Sequence, residues 1–169
     1  LPDLQKELDE AVAQNNNRNA AVVVEQMLAL NIGDQANWQK LADFLLIAEP
    51  FNSQDGYDLP YKALGAGIQA YLLSGTKELK AAALNDIAQA LVKRQDWRPA
   101  LNAYRASLEL VENADIRKTY EELRKVHGFR ITDYTVESDA PQPRLCFQFS
   151  DPLANSVSDF MPYFTQDPG

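Results

Sequence analysis

Short segments with apolar residues at helical spacing constrain the fold of this chain more than any other feature of its sequence. Ala20, Val24 and Met27 recur at the spacing of one helix face. Gly33 then ends that segment, and Asp34 is a typical N-cap for the next one. Because a helix of this length cannot bury its own apolar stripe, neighbouring helices must cover it. The pattern therefore predicts a mainly α fold of antiparallel helix pairs.

The same periodicity predicts five further helices in residues 1–127. Their predicted bounds are 34–49, about Pro60 to Leu73, Lys77 to Lys93, Arg98 to Leu110, and about Asp115 to Val126. Residues 50–60 (PFNSQDGYDLP) are rich in helix breakers and are predicted to form a loop. Pro60 would then lie in the first turn of a helix, where proline is tolerated. Gly65 and Gly67 weaken that helix, and we expect them to allow close helix packing.

Two segments of the chain share a spacing that resembles the tetratricopeptide motif W-x2-L-G-x2-Y. The matching residues are Trp38, Leu41, Ala42 and Leu45 in one segment and Leu84, Ile87, Ala88 and Leu91 in the other. The second helix of such a repeat is matched by Ala100, Tyr104 and Ser107, and again by Ala20, Val24 and Met27. The resemblance implies two to three repeats with a capping helix, in which residues 50–60 are an insertion. Trp97 is predicted to be a wedge between helices.

Polar residues of the first helices form the candidate binding surface of this array. The tetratricopeptide resemblance implies that first helices line a concave groove, which takes an extended or helical peptide. In this chain the candidate groove residues are Gln39, Asp43, Asn85, Gln89 and Lys93. The alternative interpretation of these five residues is an ordinary solvated helix face.

The residue pattern changes from helical to strand-like after His127. Residues 129–136 are rich in β-branched and aromatic residues, and residues 144–149 alternate apolar and polar side chains. Residues 128–169 carry 2 basic and 6 acidic side chains, against 14 and 18 in residues 1–127. Two strands do not form a stable sheet alone. They either pack on the last helices or belong to a sheet that continues beyond Gly169, and the second alternative is favoured.

The run GFRITDYTVESDAPQPRLCFQFSDPL, residues 128–153, resembles the start of the first macroglobulin domain of bacterial α2-macroglobulin-like proteins. The resemblance implies a large periplasmic protein that traps proteases and acts in cell-envelope defence. The thioester motif of many such proteins is absent here, since no Glu-Gln follows Cys146. Two domains are therefore expected: a tetratricopeptide-like helical domain, 1–127, and the opening strands of a truncated macroglobulin-like β domain, 128–169.

The charge and the rare residue types exclude several kinds of site. A net charge of −8 argues against nucleic acid and against anionic membrane surfaces as partners. The single cysteine, Cys146, cannot form an internal disulfide, and with the single histidine, His127, it is too little for structural zinc. Cys146 lies in an apolar run and is predicted to be a buried small hydrophobic residue. No stretch is apolar for the ~20 residues of a membrane span, and no cofactor is expected.

Enzyme motifs are also missing from the sequence, so the chain is predicted not to be an enzyme. Neighbouring carboxylates such as Glu121 and Glu122 point apart on a helix and cannot act on one substrate atom. There is no phosphate loop, nucleophile elbow or HExxH helix. The predicted function is a docking module of a periplasmic α2-macroglobulin-like protein, with proteases (through the parent protein) or another envelope protein as partners. The alternatives are a structural spacer for macroglobulin domains and an unrelated tetratricopeptide adaptor.

Overall fold

The computed structural model describes residues 2–139, 141–153, 159 and 162, and most of these residues are helical. The helices are α1 (Pro2–Ala13), α2 (Asn17–Leu30), α3 (Gln35–Ile47), α4 (Ser53–Leu73), α5 (Lys77–Lys93), α6 (Trp97–Leu110) and α7 (Ala114–His127). The strands are β1 (Ile131–Glu137) and β2 (Arg144–Phe149). Contacts divide the chain into two units, 1–127 and 128–169. The predicted fold class, an α-helical hairpin array followed by a short β segment, is confirmed.

Side-chain caps fix where five of the helices begin. The caps are Asn16, Asp34, Asn52, Thr76 and Asn113, and each accepts a hydrogen bond from the backbone N–H three residues later. Such a cap satisfies one of the backbone donors that the first helical turn leaves free. Links of only a few residues then bring each helix back against the one before it, and every helix from α1 to α6 packs on the helix that follows it.

Small side chains allow these helices to pack closely. The fully buried residues of the helical unit include Ala20, Ala42, Ala63, Ala70, Ala83, Ala88, Ala90 and Ala100. The core of α1 to α4 adds larger groups such as Leu8, Val24, Leu41 and Leu45. Beyond α6, the half-buried Ile116, Tyr120 and Leu123 of α7 cover the second core around Tyr104. The last helix therefore closes the array, and Trp97 stacks on His127 there with 3.8 Å between ring centroids.

Helix α4 begins earlier than the sequence predicts. Residues 53–60 are helical, so the prediction of a loop over 50–60 was wrong beyond residue 52. Pro60 lies inside the helix, where it removes only the hydrogen bond to the Gly56 carbonyl. The Asn52 cap and contacts of Asp55 stabilise the turn before it, because Arg18 Nη2 and the Phe51 N–H both donate to Asp55 Oδ2, at 2.8 and 3.1 Å.

The two strands form an antiparallel hairpin in which Tyr134 pairs with Phe147 and Thr135 with Cys146. A register shift falls between Ile131 and Asp133. Every residue of β1 is exposed. Cys146 is exposed as well, so the prediction that it is buried was wrong.

Candidate functional site

Helices α3 and α5 contact each other directly although α4 separates them in the sequence. Gln39 of α3 bonds to Asp86 of α5, and Leu46 and Lys93 line one cavity further along the same two helices. Gln39 of α3 thus lies beside Asp86 of α5, and Leu46 lies near Lys93. Because the residue numbers rise in the same direction along both helices, α3 and α5 are parallel. First helices of successive pairs therefore lie side by side, which creates a continuous surface from Gln39 to Lys93.

A buried carboxyl group lies at the centre of this surface. Asp86 is 3% exposed, whereas Asp43 on α3 is exposed at the surface. Gln39 Nε2 donates a hydrogen bond to Asp86 Oδ2, and the carboxyl groups of Asp86 and Asp43 lie close enough to share one when Asp86 is protonated. Three polar side chains thus join α3 to α5 through a single hydrogen-bonded group, which we call the carboxyl clasp (Gln39, Asp43 and Asp86).

Burial raises the pKa of both acids of the clasp, and repulsion from Asp43 adds to the rise at Asp86. Desolvation raises the pKa of Asp86 to about 8, and the neighbouring charge of Asp43 raises it further than burial alone would. Desolvation also raises the pKa of Asp43, although the bonds from Asp86 and Gln39 act in the opposite direction. Burial together with the charge of Asp86 raises the pKa of Tyr104 on α6. Asp86 is therefore neutral at pH 7 and acts as a hydrogen-bond donor.

The five predicted groove residues lie on α3 and α5 in different surroundings. Gln39 and Asp43 come together around Asp86 in the carboxyl clasp. Asn85 and Gln89 are half-buried and lie one turn apart on α5. Lys93 is the last residue of α5, is exposed, and lies away from the carboxyl clasp beside a cavity.

This cavity has a volume of about 160 Å³, and most of its lining residues are apolar, although polar atoms make up about half of its exposed wall. Its lining comes from α3, the following link, the first turns of α4 and the end of α5: Leu45, Leu46, Ala48, Pro50, Gly56, Leu59, Pro60 and Lys93. A dry cavity of ~150 Å³ can hold a benzene ring, so this one is large enough for one apolar side chain. The earlier start of α4 is what supplies Gly56 and Leu59 to its wall.

Asp86 is the functional residue that the sequence prediction missed. Its spacing of three and four residues from Ala83 and Ala90 puts it on the buried stripe of α5. That spacing alone does not show which polar groups meet it, because Gln39 and Asp43 belong to another helix pair. A charged residue on an otherwise alanine-rich stripe is the signal from which it could have been found.

The described residues contain neither a candidate metal site nor a helix that could cross a membrane. Across residues 2–139, 141–153, 159 and 162, no group of three or more His, Cys, Asp or Glu side chains could hold a metal ion. In the same part of the chain, no helix combines the length and the apolar character that a membrane crossing requires.

Comparison with solved structures decides the class of the helical array. The N-terminal domain of stress-induced protein-1 (STI-1) from C. elegans superposes with a TM-score of 0.58 and 15% identity, over 72% of this chain and 92% of that one. The Sgt2 TPR domain from Aspergillus fumigatus gives 0.57 and 16%, over 93% and 90%. The fold is that of tetratricopeptide domains. No protein-family model and no curated protein matches the chain.

The tetratricopeptide fold agrees with where the repeat-like residues lie in the structure. Leu41, Ala42 and Leu45 of α3 are buried, and so are Ala88 of α5 and Ala100 of α6. These positions pack the two helices of a repeat against each other.

Proposed function

We propose that this chain is a non-catalytic protein-interaction module that binds a peptide along the surface of α3 and α5. The observation that carries this proposal is the cavity beside Lys93, lined mostly by apolar residues, at the end of a surface of hydrogen-bonding side chains. An apolar residue of the peptide would fill the cavity, and Asn85 and Gln89 would bond to its backbone. This combination of one apolar anchor with a few polar groups is typical of peptide and ligand sites.

The ammonium group of Lys93 gives the proposed site a preferred partner chemistry. It stands at the rim of the cavity on an exposed helix end. A carboxylate next to the apolar anchor of the peptide would form a charge-assisted hydrogen bond with it, worth about 1.5–3 kcal/mol.

The test is selection of peptides from a random library displayed on phage, with the complete chain as bait. Selected peptides should lose affinity about tenfold for Lys93→Ala, since ~1.4 kcal/mol corresponds to a factor of ten. Binding can be measured by titration calorimetry. Lys62→Ala is the matched control, because Lys62 is an exposed lysine of α4 outside the cavity lining.

Two results would contradict the proposal. Failure to enrich any peptide above the background of an unrelated bait would favour the alternative function, a structural spacer. Peptides that bind Lys93→Ala and Gln89→Ala as tightly as the native chain would show that binding takes place on another surface.

We also propose that the module belongs to a periplasmic α2-macroglobulin-like protein, whose β domain begins with the hairpin. The support is the resemblance of residues 128–153, together with the exposed apolar side chains of the hairpin. Ile131, Tyr134, Val136 and Leu145 are each at least half exposed. In a larger sheet, further strands would cover them. Fractionation of the source cells tests the location: recovery of the protein from the cytoplasm would contradict it.

A further inference from the structure

Asp86 of α5 contacts α3 and lies near Tyr104 of α6. Its bonds go to Gln39 and Asp43 on α3, and Tyr104 of α6 is close enough to experience its charge. Within the described ranges, no Lys or Arg forms an ion pair with Asp43 or Asp86. No ionisable side chain of α4 or of α5 itself contributes to the titration of Asp86. Asp43 is therefore the charge that opposes ionisation of Asp86.

We propose that the carboxyl clasp is a proton-dependent lock between the second and third helix pairs, which holds α3 on α5 while the two acids share a proton and loosens when they lose it. The device concerns the packing of the helices, so it does not depend on the proposed peptide binding. It would nevertheless act on the same surface, since Gln39 and Asp43 belong to both.

The hydrogen bonds explain why the shared proton matters. With the proton present, the Asp86 hydroxyl donates to Asp43 and Gln39 Nε2 donates to Asp86. Without it, two carboxylates face each other in a poorly solvated contact, where repulsion is much stronger than in water. The hydrogen bond from Gln39 Nε2 favours the ionised form of both acids, but the burial of Asp86 outweighs it.

The direction of the pH dependence follows from the raised pKa of Asp86. The folded chain keeps a proton up to about pH 8 that the unfolded chain releases near the ordinary value of 3.8. The folded state therefore binds more protons between these values, and its stability decreases as pH rises through this range. One such proton changes the ratio of folded to unfolded chain by about tenfold per pH unit, and the effect ends above the folded-state pKa.

Urea unfolding of the complete chain at pH 6, 7, 8 and 9 tests the lock. The native chain should lose about tenfold in the folded-to-unfolded ratio per unit between pH 6 and 8. Asp86→Asn should show almost no change, because its amide donates to Asp43 and accepts from Gln39 without titrating. Glu78→Gln, an exposed carboxyl of the same helix, should behave as the native chain does. Equal slopes for the native chain and Asp86→Asn would overturn the proposal.

A measurement on the native chain decides the matter even if Asp86→Asn does not fold. The carboxyl carbon of Asp86 can be followed by NMR as the pH is raised. Titration near pH 8, with faster amide exchange of α3 and α5 above that pH after correction for the intrinsic rate, supports the lock. Titration of Asp86 at the ordinary value of an aspartate, or unchanged exchange across its titration, refutes it.

Discussion

Gly65 and Gly67 are two residues apart in α4 and have different surroundings. A Cβ at residue 67 would lie 3.0 Å from Ile87 Cγ1 of α5 and 3.6 Å from the Ala83 carbonyl oxygen, whereas a Cβ at residue 65 would meet nothing within 4 Å. The prediction that both glycines allow close helix packing is confirmed for Gly67 and wrong for Gly65. Gly65 faces outward, since the 100° turn per residue places the two positions on different sides of the helix.

We expect opposite effects when either glycine is replaced by alanine. Gly65→Ala should raise the free energy of unfolding by about 0.5–1 kcal/mol, because alanine loses less backbone entropy in a helix. Gly67→Ala should lower it by about 1 kcal/mol, since overpacking against Ile87 exceeds that gain. Urea unfolding measures both values, and the two variants control for each other. Equal stabilisation by both would mean that α4 and α5 approach less closely than the structure shows.

At the scale of an element, the first turns of α4 depend on contacts from outside the helix. Arg18 of α2 bonds to the Glu49 carbonyl and to Asp55, and its guanidinium lies 4.1 Å from the ring centroid of Phe51. These contacts hold the link between α3 and α4. Because Pro60 removes a backbone bond just beyond, the turns before it have fewer bonds of their own.

Asp55→Asn should therefore loosen the start of α4. The change removes the charge that pairs with Arg18 while keeping the size of the side chain. The side chains of Arg18 and Asp55 are 31% and 25% exposed. We therefore expect a loss of about 1 kcal/mol in the free energy of unfolding. Amide exchange of residues 53–59 should accelerate more than that of residues 63–73.

Asp58→Asn is the control for this experiment, because Asp58 is on the same helix and bonds to Gln54 at the surface. It should change neither stability nor exchange by more than a small amount. If Asp55→Asn affected residues 53–59 no more than Asp58→Asn does, the contact with Arg18 would not be what stabilises these turns.

At the scale of the whole molecule, we expect the two units to differ in how well their backbone amides are protected from hydrogen exchange. The helices bury a continuous series of alanine and leucine side chains, whereas each residue of β1 is exposed. Opening of a structural unit requires less free energy when few apolar contacts must be broken. The helical unit should therefore be the more stable of the two.

Hydrogen exchange across the complete chain tests this difference. Amides of α2, α3, α5 and α6 should exchange slowly, and those of residues 131–149 should exchange quickly. This result would support an autonomous helical module that carries a separate β segment. Slow exchange in both units would instead indicate that the strands are part of one scaffold with the helices, which favours the spacer function.

The sequence by itself determined the class of the fold and most helix ends. Apolar spacing, glycine and N-cap residues are local signals, and they predicted α5 at its observed bounds and the end of α4 at Leu73. The tetratricopeptide resemblance, which rests on that spacing, implied Gln39, Asp43, Asn85, Gln89 and Lys93 as groove residues of first helices. That part could be predicted because helix periodicity depends on neighbours within two turns.

Only the tertiary structure decided what these residues meet. Asp86 pairs with Gln39 across 47 residues of sequence, and the start of α4 depends on Arg18 from another helix pair. The exposure of Cys146 likewise depends on what covers the hairpin and not on its alternating pattern. Long-range contacts such as these leave no local signal in the sequence. The spacing of a residue within its helix or strand is the same whether its side chain faces solvent or another acid.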